Sequence, residues 1–165
     1  MGGRLDPALD IMDWLIANHV KATIFPTGAM ASTAIGRAVI ARAAANPDLF
    51  AVGNHSWDHP DFRGLTASQI ADQLNRCDSK VRALGGPATK PYTVMWDVDA
   101  IDWRPVSDGG PTADDLVTKV VGRAQGGSIV LMHLGGYNTL AALPRIVAGL
   151  RERGLTPRRL SDWYH

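Results

Sequence analysis

One cysteine, Cys77, stands in 165 residues. A lone thiol excludes an intrachain disulfide framework. Cys77 lies within a helical pattern and reads as a small packed side chain rather than a reactive thiol. Excess charge of either sign is lacking too. The 17 Lys and Arg oppose 16 Asp and Glu, for a formal net charge of +1. That balance makes no basic field for nucleic acid or an anionic membrane. The densest basic stretch, from Arg151 to Arg159, is broken by Glu152, Gly154 and Pro157 and reads as a solvated helix end. No apolar run approaches the ~20 residues of a membrane helix, so no membrane insertion is expected. Met1-Gly2-Gly3-Arg4 carries no signal-peptide core. Repeats, low-complexity segments and linkers are missing as well. None of these features settles the compartment.

What is present is the composition of a globular domain: 45% apolar and 20% charged residues. The length fits a single domain over residues 1–165, long enough to bury a core. Short apolar runs alternate with amphipathic helical patterns. Asp6 is placed to cap a helix with Pro7 at its first position. Leu9, Met12, Leu15 and Ile16 would give that helix its apolar face. Strands are expected at 22–25, 49–52, 92–96 and 128–132, with a final one at 156–160. Helices are expected from Thr33 to Ala45, from the Thr66/Gln69 capping box to Leu84, from the Thr112/Asp115 box to Arg123, and from Leu140 to Arg153. This alternation implies an α/β fold with mostly parallel strands. About five strands is few for a closed barrel.

The chemistry-bearing residues fall at expected strand ends, where α/β proteins place their sites. Gly53-Asn54-His55-Ser56-Trp57-Asp58-His59-Pro60 follows the strand at 49–52. If the backbone turns helically there, His55 and His59 project on one side, one turn apart. Imidazole is a good zinc ligand, and three protein ligands with one open position make a catalytic zinc site. By spacing alone the pair reads first as a coincidence in a surface turn. Asp97, Asp99 and Asp102 read first as polar loop residues. Trp57 and Trp103 read as packing anchors. His133 is open between a core-edge side chain and a functional one. His19, at a helix end before a strand, fits a solvated or C-capping role.

Taken as strings, these segments resemble the polysaccharide deacetylase (NodB-homology) family, the family-four carbohydrate esterases. His55-Ser56-Trp57-Asp58-His59-Pro60 is similar to the family's His-Ser-x-x-His-Pro zinc motif. Lys21-Ala22-Thr23-Ile24-Phe25-Pro26-Thr27-Gly28 looks like a family strand. Trp96 to Trp103 is similar to its Asp-x-x-Asp-Trp motif. Ser128-Ile129-Val130-Leu131-Met132-His133 resembles its last motif, a strand ending in histidine. The four occur in family order and span nearly the whole chain.

The resemblance implies a distorted, incomplete (β/α) barrel. It implies zinc-dependent removal of N- or O-acetyl groups from an acetylated polysaccharide, and a secreted or cell-envelope setting. His55 and His59 would bind zinc or another divalent metal, and Ser56 would support their loop. His133 would be the general acid. Asp99 or Asp102 would hold a charged partner and tune His133. Trp103 would line the acetyl pocket, with Tyr92 a further substrate contact.

Two family motifs have no counterpart. Met1-Gly2-Gly3 stands where the family's Thr-Phe-Asp-Asp-Gly would end, so its first strand, catalytic base and third metal ligand are expected outside this sequence. Lys90-Pro91-Tyr92 replaces Arg-x-Pro-Tyr, and lysine lacks the planar fork of arginine. A break in the fold is expected there. Metal binding and activity are accordingly expected to be weak. The rival reading is a non-catalytic carbohydrate- or metal-binding pseudoenzyme of the same fold.

Overall fold

A computed structural model describes residues 5–89 and 93–163. The chain divides into two compact units, residues 15–92 with 158–165 and residues 1–14 with 93–157. The first helix, α1 (Ala8–Ala17), turns Ala8, Ile11, Met12 and Leu15 inward, while Leu9 and Ile16 are only half-buried. The expected apolar face is therefore rotated by part of a turn. The helix ends with His19 at a left-handed φ of 51°. The His19 amide bonds Ile16 O and the Val20 amide bonds Leu15 O. These two bonds form a Schellman cap, so His19 terminates the helix.

In the unit built on residues 15–92, β1 (Ala22–Ile24) pairs in parallel with β2 (Phe50–Val52) in the register Ala22 to Phe50 through Ile24 to Val52. Pairing continues past the strands through the Gly53 amide to Ile24 O and the His55 amide to Pro26 O. A short helix, α2 (Gly28–Ala31), is capped by Thr27 and packs on α3 (Ala34–Ala45) and α4 (Ala67–Ala83). The helix α2 was not expected from the sequence. Thr33 caps α3, and Thr66 with Gln69 closes the capping box of α4. Ile24, Val39, Ile40, Phe50, Cys77 and Val81 are buried. The Cys77 thiol donates to Pro26 O at 3.4 Å, and burial pushes its pKa up. It is the inert packed side chain its context suggested.

In the other unit, β3 (Val98–Asp99) pairs in parallel with β4 (Val130–Leu131). The helix α5 (Ala113–Arg123), with its Thr112/Asp115 capping box, packs on α6 (Thr139–Glu152). Val98, Ala100, Leu116, Val120, Ala124, Ala142, Ile146 and Leu150 form one core.

Two expected strands are corrected. Residues 93–96 form no strand; Met95 and Trp96 face solvent and ladder bonding begins with the Asp97 amide to Ile129 O. Residues 156–160 form no strand either. Pro157 lacks the amide a ladder needs. Leu160 instead donates its amide to the Thr23 hydroxyl at 2.9 Å and opens a 3-10 turn, Leu160–Asp162. The expected break at Lys90–Tyr92 lies outside the described residues, as does Tyr92 itself. Among the described residues the four strands form two parallel pairs. The architecture is α/β.

Candidate active site

The chain leaves β2 at Val52 and enters the histidine loop. No helix connects His55 to His59. Two left-handed residues do, Ser56 at φ 62° and His59 at φ 64°. Neither is glycine, so side-chain hydrogen bonds must hold the conformation. Asn54 Oδ1 accepts the Ser56 amide at 2.9 Å, and Ser56 Oγ accepts the His59 amide at 3.0 Å. Gln73 Oε1, on α4, accepts the amides of Trp57 and Asp58. The amides of Gly28 and Ala29 at the start of α2 donate to Ser56 O and Trp57 O. Trp57 lies over Gly28, where a Cβ would come 2.7 Å from Cζ3 of its ring and nearer still to Cε3, and carries the Arg76 guanidinium 4.3 Å from its centroid. The tryptophan is an anchor for the loop.

The outcome is that the His55 and His59 rings lie 4.5 Å apart, centroid to centroid, at 55°. This is close enough for one nitrogen of each ring to reach a shared ion. Among the described residues, however, no group of three or more His, Cys, Asp or Glu side chains is gathered. The pair fits two ligands of a metal site. It does not fit a complete three-ligand site.

The other unit holds a second constellation. After β3 the chain passes Ile101 at φ 60°, a β-branched residue in the left-handed region, and the Asp99 carboxylate steadies it by accepting the Ile101 amide at 2.9 Å. This turn drives Asp102 into the protein, where its side chain is 0% exposed. Asp102 Oδ1 accepts from His133 Nδ1 at 2.7 Å, and Oδ2 accepts the His133 amide at 2.9 Å. The Thr139 hydroxyl donates to Oδ2 as well. A buried carboxylate thus has three donors, which is what its desolvation requires. His133 stands just beyond β4, its side chain 16% exposed. Trp103 follows Asp102 and is 46% exposed.

Asp102, not Asp99, therefore contacts His133. Asp97 Oδ2 accepts the Ile129 amide at 2.7 Å and so ties the start of β3 to β4. Sequence reasoning missed Thr139. A hydroxyl residue at the start of a helix looks like an ordinary capping choice.

The chain is similar to known carbohydrate deacetylases and to solved family-four structures. A bifunctional xylanase/xylan deacetylase of Cellvibrio japonicus is 31% identical over 131 residues, covering 66% of this chain and 19% of that protein. A family-four carbohydrate esterase from Streptomyces lividans, solved with acetate, superposes with a TM-score of 0.75 at 28% identity, covering 94% of this chain and 85% of that one. A family-four pseudoenzyme from Bacillus anthracis gives a TM-score of 0.75 at 26% identity, covering 95% of this chain and 60% of that one. The chain spans less than two thirds of the length of these curated relatives. Residues 7–95 match the polysaccharide deacetylase family model, more than half of the chain, and the chain belongs to that family.

Proposed function

We propose that this chain is the deacetylase domain of a protein that hydrolyses acetyl groups, N- or O-linked, from an acetylated carbohydrate polymer. The observation that carries this reading is His133 held at a strand end by a buried carboxylate. With Nδ1 committed to Asp102, Nε2 is the nitrogen left to carry a proton for the leaving amine or sugar oxygen. Asp102 orients the ring, whereas Asp99 shapes the turn that delivers Asp102. Trp103 supplies an apolar wall for an acetyl methyl. The family likeness supports a distorted, incomplete (β/α) barrel as the fold of the whole domain.

His55 and His59 are the residues that would hold zinc or another divalent ion, a third donor coming from outside the pair. Such an ion supplies Lewis acidity and a water of lowered pKa. Acetate release from acetylxylan, acetylated chitooligosaccharides and peptidoglycan, with zinc added, tests the proposal. His133→Ala should reduce turnover by about 10²–10⁴-fold, the usual worth of general acid–base help. Turnover that survives this change would remove His133 from the mechanism.

Likeness to the Bacillus anthracis pseudoenzyme favours a second reading, a domain that binds carbohydrate or metal without turnover. Saturable oligosaccharide binding with no acetate release on any of the three substrates would select it.

A further inference from the structure

We infer that Thr139 and Gly136 are positioning residues for His133, acting through Asp102. The inference rests on the reading of His133 as the proton donor. The turn after β4 wraps around the Asp102 side chain. The Gly136 amide bonds His133 O at 3.0 Å, closing the turn. The Tyr137 amide bonds Asp102 O at 2.8 Å, fastening the turn to the aspartate's own backbone. Thr139, the first residue of α6 and 2% exposed, then donates its hydroxyl to Asp102 Oδ2. Gly136 allows this closeness. A Cβ there would stand 2.9 Å from Asp102 Cγ and nearer still to Oδ2 and to the Thr139 hydroxyl. Any larger residue would displace the carboxylate, the hydroxyl or both.

The two oxygens of Asp102 consequently have different duties. Oδ1 takes the ring proton of His133. Oδ2 is occupied by the His133 amide and the Thr139 hydroxyl, which together fix the carboxylate plane. The hydroxyl that holds Oδ2 belongs to the first turn of the 14-residue helix α6, so the start of that helix fixes the carboxylate in place. Without the hydroxyl the carboxylate can rotate about its Cβ–Cγ bond and lose alignment with Nδ1.

The test uses the whole chain with Thr139→Val, Thr139→Ser and Gly136→Ala, beside His133→Ala. Proton NMR reads the downfield Nδ1–H of His133, assigned by its loss in His133→Ala. This signal does not depend on turnover. Thr139→Val and Gly136→Ala should weaken or abolish it, and Thr139→Ser should retain it. In acetate release, kcat should fall about tenfold or more in Thr139→Val with KM nearly unchanged, and recover in Thr139→Ser. An unaltered Nδ1–H signal in folded Thr139→Val or Gly136→Ala would overturn the inference, as would failure of serine to rescue. If the signal behaves as expected while His133→Ala retains full turnover, the positioning stands and the assignment of His133 as proton donor fails. If Thr139→Val does not fold, the Gly136→Ala and Thr139→Ser spectra decide the matter.

Discussion

Ser56 performs its work through one oxygen. It sits in the left-handed region and, by accepting the His59 amide at 3.0 Å, holds a second left-handed residue in place. Removing that acceptor leaves a backbone amide in a strained loop without its partner. Ser56→Ala should cost about 1–2 kcal/mol in chemical denaturation, the penalty of a lost and unreplaced hydrogen bond. It should also weaken zinc binding measured by calorimetry, because the 4.5 Å relation of the two rings depends on the turn. His55→Ala should abolish specific binding, and zinc affinity equal to that of the unaltered chain would show that the pair is not a ligand set. Asp102 is the other residue on which much depends. Its three donors compensate its burial, so replacing it with alanine strands His133 Nδ1, the His133 amide and the Thr139 hydroxyl together.

At the scale of elements, the helix starts are governed by local chemistry and the close approaches are not. Thr112→Ala removes the hydroxyl half of the α5 capping box, leaving the backbone amide of residue 112 on Asp115, and should destabilise by about 1 kcal/mol. Gly36, within α3, gives a sharper expectation. Helix propensity alone says that Gly36→Ala stabilises by about 1 kcal/mol. The tertiary structure says the reverse, since the added Cβ would stand 2.6 Å from the Met30 carbonyl carbon and closer to its oxygen. Gly36→Ala should therefore destabilise by about 2–4 kcal/mol, by thermal or urea unfolding, as overpacking against backbone does. A raised melting temperature would mean that α2 can move away from α3 at little cost.

For the molecule as a whole, a chain of hydrogen bonds links helix to site. Asp78 on α4 accepts the Thr89 amide and hydroxyl at 2.7 and 2.8 Å. The Thr89 hydroxyl accepts from Asn54 Nδ2 at 3.1 Å, and Asn54 Oδ1 holds the Ser56 amide. The Thr89 amide, more than any other group, holds the Asp78 carboxyl below its ordinary pKa. A depressed carboxylate makes its contribution in full above the unfolded value, about 3.9. That contribution is lost as pH falls toward the lower folded value, because the unfolded chain takes up the proton first. Melting temperature should drop between pH 5 and 2.5, and Asp78→Asn should flatten part of that slope. An identical slope in the variant would remove Asp78 from the acid response.

The local signals in the sequence were sufficient for α3, α4 and α5, because a hydroxyl three residues before its amide partner decides where a helix begins. They also marked His55, His59, Asp102 and His133 as residues at strand ends. Local chemistry does not encode which aspartate meets His133. Asp99 and Asp102 differ only in where the left-handed turn at Ile101 sends them, and a β-branched residue announces no such turn. The left-handed Ser56 and His59 were equally hidden, since amides from α2 and a glutamine from α4 hold their loop. The short α2, the rotated face of α1 and the role of Thr139 share that origin. Each depends on groups distant in sequence that meet only when the elements pack. Residue types and spacing thus determined the helix starts and the candidate residues, and the motif strings carried the resemblance to the family. Tertiary packing decided their pairing, because buried polar groups must find partners wherever the fold brings them.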